Sequence, residues 1–450
     1  MKSYRLFNDP KSLKLLSANE RKVLPILVEV AKKIDKIYEL QENDKEEGAN
    51  FYPKNVTRQS VEAEVKTNPE ILSPYTVVEK DKSGKLITIP YHEKYARLLS
   101  PIADLLIKAA SITKNPSFKK YLTTLASSLL DGSYQKADIA WLKVKGSNLD
   151  LVAGPYETKL DKLFSIKKAY QAHVGIIDKD KSKSATDIRD ILNENMGPRH
   201  HIVSLDKVDI QEQYDVISSG LLGKTLFAIQ PLPTDEETQN KYGTKILTYH
   251  NVIDLKFEKM LYPIFTEIFA KNFKARYSKE LLKVGMDYHR VLFSSAQQLH
   301  RYPDSYCRLK ELFPIFEEAN NMVSSVQHAK HLVLKGIINQ KELESLMVIH
   351  ICWIFSEWVI AKYNKTREDF LKGNSLVLYF LLKDGALREK DGISWPNFAK
   401  MFFEIENLAE IFGAFLEEGT YEEAQDFLKK YLWPDIFKAF DHRLRKIKPL

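Results

Sequence analysis

A metal-dependent hydrolase needs histidine or carboxylate donors that converge on one point, and this sequence has few sets spaced to do so. His289 and His300 are eleven residues apart. On one helix that is three turns, about 16 Å at 1.5 Å per residue, too far to clasp one ion. His328 and His331 stand at i, i+3 and face one way, but no carboxylate or thiol accompanies them, which favours a solvated pair. The only His-Glu pair, His92-Glu93, continues Lys-Tyr-Ala and so lacks the second histidine of a zinc helix. Nucleophilic chemistry has equally thin support. Ser294 and Ser295 have His300 within reach along a helix, yet neither forms a Gly-x-Ser-x-Gly elbow and no acid is present to orient the imidazole. Cys307 lies beside Arg308, a cation that can lower a thiol pKa, although an inert thiol is the simpler reading. Gly220-Leu-Leu-Gly223-Lys224-Thr225 is similar to the end of a phosphate loop, but its glycines are three apart rather than five. It reads as a turn.

These residues must be positioned by helices in most of the chain. Ser17 and Glu20 form a capping-box spacing. Val23, Ile26, Leu27, Val30, Ile34, Ile37 and Tyr38 follow at helical spacing and predict one buried face. A polar stretch from Glu42 to Asn68 reads as loop around Gly48–Pro53. Thr76 to Pro90 predicts two short strands about the turn at residues 81–84, and helices are expected over 92–113 and 117–130, the second stopped by Gly132. Strand-like runs lie at 150–153, 202–205 and 225–229, the last ended by Pro231-Leu232-Pro233 because proline cannot donate to a ladder. From Val252 onward the spacing predicts helices over 252–270, 279–300, 310–335, 340–362, 374–383, 397–418 and 421–431, with a second capping box at Thr420 and Glu423. Trp353, Trp358, Trp395 and Trp433 fit core positions.

The composition, 44% hydrophobic and 28% charged over 450 residues, belongs to a globular chain with a sizeable core. Two cysteines give no disulfide framework, so a cytoplasmic or otherwise reducing compartment is expected. Residues 1–17 are polar and basic, and no signal peptide is expected. The most apolar window, 346–355, is too short to span a bilayer. The net charge of +7 comes from scattered lysines, which suits a solvated surface better than a nucleic-acid or membrane partner.

Several segments resemble the dipeptidyl-peptidase III zinc metallopeptidases, specifically the shorter bacterial-type members, some of which occur beside Nudix domains. They are Gly48-Ala-Asn-Phe-Tyr-Pro53, Ser73-Pro-Tyr-Thr-Val-Val78, Pro90-Tyr-His-Glu93, Asp138-Ile-Ala-Trp141, Gly154-Pro-Tyr-Glu-Thr158, and Gly373-Asn374 with Tyr379-Phe-Leu-Leu-Lys-Asp-Gly-Ala386. Their order matches and they spread from about residue 18 to about 432. The resemblance implies a mainly α fold with an inserted β section, in two lobes with a peptide cleft between them. A mixed N-terminal region would run over approximately 1–250 and a helical region over approximately 251–450.

The same resemblance implies a zinc site that this sequence does not supply. In register, the metal helix falls on residues 292–299. Phe293 stands for the first histidine, Ser294 for the base glutamate, and Gln297 (or Gln298, with the family's longer spacing) for the second histidine. Phenylalanine has no lone pair for a metal, and serine is no base at neutral pH. Glu318, after Glu317, matches the third ligand, and one carboxylate alone holds zinc weakly. His289, His300, Glu317 and Glu318 lie on the two helices of that site without rebuilding it. Lys159 matches the tyrosine of a Glu-x-Tyr pair begun by Glu157, and Phe370 a histidine before Gly-Asn. Ser356 and Val359 match two arginines. Gln230 or Pro231, with Thr234, matches an Asn-x-x-Asn that holds a substrate amino terminus. Glu157 and Asp161 are retained.

Zinc and a positioned base together supply the nucleophile and its activation. The expectation is a catalytically inactive homologue without zinc or other cofactor, whose peptide- or protein-binding surface persists, with Glu157, Glu317 and Glu318 as possible remnants. A hydrolase of altered chemistry, using Glu157, Lys159, Glu317 or Glu318, is the alternative.

Overall fold

The computed structural model describes residues 3–193, 207–299, 305–363, 367–389, 393 and 396–449, with the backbone alone at 193, 236 and 296–299. Two compact units form, one from Met1–Ser182 with Gln211–Val252, the other from Lys183–Ile210 with Ile253–Leu450. The expected mainly helical chain with an inserted sheet is what the chain adopts.

The first unit is built on helix α1 (Ala18–Gln41). Its capping box forms as the spacing predicts: Ser17 Oγ accepts the Glu20 N–H, and the Glu20 carboxylate accepts the Ser17 N–H at 2.9 Å. The stripe Val23, Leu27, Val30, Ile34 and Ile37 is buried. It packs on helix α2 (Ala96–Ile112) and on the sheet. Helix α3 (Pro116–Asp131) ends at Gly132, whose φ of +77° is the left-handed cap that glycine takes without steric penalty. Helix α4 (Tyr134–Leu142) follows. The polar stretch 42–68 is more ordered than a loop, with a helical turn at Ala49–Phe51 and a capped helix at Arg58–Val65.

The strands are β1 (Arg5–Leu6), β2 (Thr76–Lys80), β3 (Leu86–Pro90), β4 (Leu149–Glu157), β5 (Ala169–Ile177), β6 (Val208–Ser219), β7 (Ile229–Leu232) and β8 (Thr244–Tyr249). β2 and β3 form the predicted hairpin, where Asp81 Oδ1 accepts the N–H groups of Ser83 and Lys85. The main sheet runs β4-β5-β6-β8-β7, with β1 paired antiparallel to β6. The run 202–205 lies outside the described residues. The run 225–229 is not a strand: Leu221–Thr225 is a helical turn, and the strand starts at Ile229. Pro231 therefore sits inside β7 rather than after it. The reason is position. β7 is an edge strand, and since Tyr249 N–H bonds Ala228 O, alternation turns the backbone of Ile229 and Pro231 away from β8. Pro231 forfeits no ladder bond there.

Helix α5 (His250–Lys256) starts in the last residues of the first unit, and the second unit continues with α6 (Lys279–Leu299), α7 (Phe313–Gln327), α8 (Gln340–Ala361), α9 (Glu368–Lys383), α10 (Phe398–Glu417) and α11 (Tyr421–Tyr431). α6 packs on α7 and α8, and α7 on α9 and α10. The single helix expected over 310–335 breaks at His328 into α7 and a short helix, Ala329–Leu334. The apolar window 346–355 lies within the helix expected over 340–362, which forms as α8. α8 has 22 residues and is long and apolar enough to cross a membrane by length and composition, with 83% of its apolar window buried within the fold. Trp433, expected in the core, is 55% exposed, whereas Trp353 is buried as expected. Trp395 lies outside the described residues.

Candidate functional site

Helix α6 carries the positions that resemble a metal motif, and both described side chains there are occupied with packing. Phe293 is buried, its ring 5.8 Å from that of Trp353 and 6.0 Å from that of His289. Ser294 Oγ and Ser295 Oγ each donate to Val291 O at 2.8 Å, so both hydroxyl protons go to helix backbone. The side chains of Gln297 and Gln298, and all of His300, lie outside the described residues.

On α7, Glu317 is half-buried and Glu318 buried. Glu318 Oε1 accepts a bond from Asn374 Nδ2 at 3.3 Å, and the same amide reaches Phe370 O at 2.7 Å. Gly373 permits this approach of α9 to α7. A Cβ there would lie 2.9 Å from Glu318 Cβ, Ala319 N and Ile315 O.

Around these residues lies an ion cluster that sequence reasoning missed. Lys256 Nζ sits 3.5 Å from the centroid of the Trp353 ring and 3.7 Å from Glu357 Oε1. Glu357 Oε2 accepts two bonds from Arg367, 3.0 Å from Nε and 2.5 Å from Nη2. The Arg367 guanidinium in turn stacks 3.7 Å over Phe370. Burial pushes the Lys256 ammonium down to about 8, partly offset by Glu357. Burial opposes the charge of Glu357, but Arg367 and Lys256 outweigh it and hold that carboxyl below its ordinary value. Lys256 and Arg367 are more than a hundred residues apart and belong to no motif, so nothing in the one-dimensional pattern pairs them.

These residues do not fit a zinc ion. Phe293 is a packed phenyl ring, Ser294 a satisfied hydroxyl, and the cations Lys256 and Arg367 both pair with Glu357. Among the described residues, no group of three or more His, Cys, Asp or Glu side chains is arranged to hold a metal.

In the first unit, Glu157 and Asp161 have different roles. Asp161 organises a loop: Oδ1 accepts the N–H groups of Leu163 and Phe164, and Oδ2 those of Ile166 and Lys167, at 3.0–3.1 Å. Glu157, at the end of β4, is 4% exposed. Its Oε1 accepts the Lys159 N–H, while its Oε2 is buried with no hydrogen-bond partner. Burial raises its carboxyl to about 7, against smaller opposing contributions from Lys159 and backbone N–H groups. Lys159 is half-buried. Of the residues matched to the Asn-x-x-Asn, Gln230 accepts a bond from Tyr249 Oη at 3.2 Å, and Pro231 lies on the outward edge of β7.

A second polar network, also absent from the sequence reading, crosses the sheet. Trp141 Nε1 donates to Asp150 at 2.8 Å. Gln213 Nε2 donates to the other oxygen of Asp150 at 2.8 Å, and Gln213 Oε1 meets His173 Nε2 at 2.8 Å. His173 Nδ1 faces Asp215 at 3.1 Å. Burial works against a charge on His173, but Asp215, Gln213 and Asp150 together outweigh it, so its pKa is raised. The run Asp209 to Asp215 carries no apolar alternation to mark a strand, because Gln211, Glu212, Gln213 and Asp215 bury polar groups there. At the glycine turn, Asp35 Oδ1 accepts the Gly220 N–H at 3.2 Å, so a carboxylate already takes a backbone donor that a phosphate would need.

No protein-family model matches the chain. It superposes on the structure of DPP III from Caldithrix abyssi with a TM-score of 0.84 and 24% identity, covering 98% of this chain and 95% of that one. The chain has the dipeptidyl-peptidase III fold. The dipeptidyl-peptidase III from Corallococcus sp. strain EGB gives a TM-score of 0.82 at 22% identity, covering 99% and 93%. Among curated proteins, Nudix hydrolase 3 of Arabidopsis thaliana is 26% identical over 406 residues. That match takes in 87% of this chain and 51% of the relative, so the chain spans about half the length of the curated relative it matches. The dipeptidyl-peptidase III fold read from scattered segments is borne out, as is the link with a Nudix protein.

Proposed function

We propose that this chain is a non-catalytic form of the dipeptidyl-peptidase III fold that binds an extended peptide or protein segment and needs no zinc. The observation that carries the reading is the condition of Phe293 and Ser294. One is a packed ring and the other a hydroxyl spent on Val291 O, where the fold's chemistry would require a metal ligand and a base. Binding would use the edge of β7. Ile229 offers an outward N–H and C=O, and Pro231 an outward C=O, so an added strand would gain main-chain bonds without any metal. Glu157 Oε2 is a second acceptor, suited to an ammonium or amide N–H. The partner is a peptide or protein rather than nucleic acid or membrane, since the lysines are scattered and the apolar helix α8 is mostly buried.

The test is metal content together with turnover. The purified chain should carry well under one zinc per molecule and leave dipeptidyl arylamides uncleaved at added zinc. Stoichiometric, tightly held zinc would overturn the reading.

A second reading, hydrolysis by altered chemistry, is favoured by one observation: the Glu157 carboxyl titrates near neutrality, where a general acid–base works best. It predicts cleavage that survives chelation and is lost in Glu157→Gln.

A further inference from the structure

We propose that the ammonium of Lys256, held between Trp353 and Glu357, supplies internally the fixed positive charge that zinc-bearing members of this fold obtain from a bound metal. The inference rests on the metal-free reading above. Three features of the second unit support it. The indole that receives the ammonium at 3.5 Å is the same ring that covers Phe293, the residue in register with the first metal histidine. Glu318, in register with the carboxylate ligand, lies close enough to Lys256 for their charges to interact. The arrangement is also electrically complete, because Glu357 sits between Lys256 and Arg367 and takes charge from both. A lone buried lysine would lose its proton; one paired with a carboxylate and lying on an indole face keeps it.

The consequence is a core that tolerates no second cation. A zinc ion near Glu318 would stand beside the positive groups of Lys256 and Arg367, and Glu357 and Glu318 are already engaged. In this chain the internal cation and a bound zinc ion would be electrostatic alternatives.

The experiment compares thermal unfolding of the full chain as wild type, Glu357→Gln, Lys256→Met and the double variant, alongside zinc content of the wild type. Glu357→Gln leaves Lys256 and Arg367 as facing cations without their shared carboxylate, and should lower Tm by about 5 °C or more. Adding Lys256→Met to it removes one of those cations while keeping an apolar stem on Trp353, and should recover at least about half of the loss. If Glu357→Gln fails to fold, recovery of a folded protein in the double variant is the same result. A metal-free wild type with no recovery overturns the internal-cation proposal and leaves the non-catalytic reading standing. Stoichiometric zinc in the wild type overturns the non-catalytic reading, and with it the claim that Lys256 stands in the metal's place.

Discussion

His289 Nε2 lies 3.1 Å from His350 Nδ1, and neither ring is exposed to solvent. The two imidazoles share one N–H between helices α6 and α8, and their outer nitrogens, His289 Nδ1 and His350 Nε2, have no hydrogen-bond partner. Burial drives His350 down to about 3 and His289 well below its ordinary value, with His350 and Lys256 adding to the effect on His289.

The pair therefore makes the second unit acid-sensitive. Both rings are neutral in the fold, while in the unfolded chain they take up protons below about 6.5. Their contribution is fully present above that pH and is lost as pH falls from about 6.5 toward 3, by roughly 1 kcal/mol per pH unit for each imidazole. Urea unfolding at pH 7 and pH 5 should show a lower midpoint at pH 5. A variant with both histidines replaced by leucine should lose most of that difference, and an equal slope in the two proteins would refute the assignment.

Gly175 sits on β5 beneath the His173–Gln213 contact. A Cβ there would lie 1.9 Å from Gln213 Oε1 and 2.6 Å from His173 Nε2. Gly175→Ala must push the amide away and break a chain of buried bonds that continues to Asp150 and Trp141. A buried network left half satisfied typically costs about 2 kcal/mol or more. Chemical denaturation should show that loss, with near-ultraviolet circular dichroism of Trp141 altered as well.

Asp161 tests how far the retained family residues are structural. Asp161→Asn keeps the shape but replaces one accepting oxygen with an NH2 group facing backbone donors, so two of the four N–H bonds are lost. A destabilisation of about 2–4 kcal/mol is expected. Proteolysis should move to residues 161–167, where the loop is no longer pinned, and unchanged susceptibility there would count against a loop-organising role.

How much of this was legible in the sequence follows from the range of each interaction. Local signals held: Ser17 with Glu20, Thr420 with Glu423, and Gly132 each form the caps their spacing predicts, because a cap involves residues three or four apart. The sheet was less legible. β6 buries Gln211, Glu212, Gln213 and Asp215, and strand patterning looks for apolar alternation rather than polar groups paired across strands. Pro231 misled for a related reason, since its tolerance depends on β7 being an edge. That residues 293 and 294 are phenylalanine and serine, side chains that neither ligate zinc nor act as a base, could be read directly. The ion cluster beside them could not, because Lys256, Trp353, Glu357 and Arg367 meet only through packing of α5, α8 and the start of α9.

Glu157 separates stability from binding. Its carboxyl is raised to about 7 by burial, so in the fold it stays protonated to higher pH than in the unfolded chain, where it ionises near 4.5. The protonated group costs the fold little; as pH rises from about 4.5 through 7 the unfolded state gains by releasing its proton, and this site's contribution to stability falls. Glu157→Gln keeps an acceptor for the Lys159 N–H and cannot ionise. It should raise Tm at pH 8 relative to wild type, with little change at pH 5, and flatten the profile between them. If Glu157 Oε2 also receives a peptide amine, the same variant should bind a peptide with a free amino terminus at least about tenfold more weakly, while an N-acetylated form of that peptide binds both proteins alike. A stabilised variant with undiminished peptide affinity would make Glu157 a structural carboxyl and leave the β7 edge alone to account for binding.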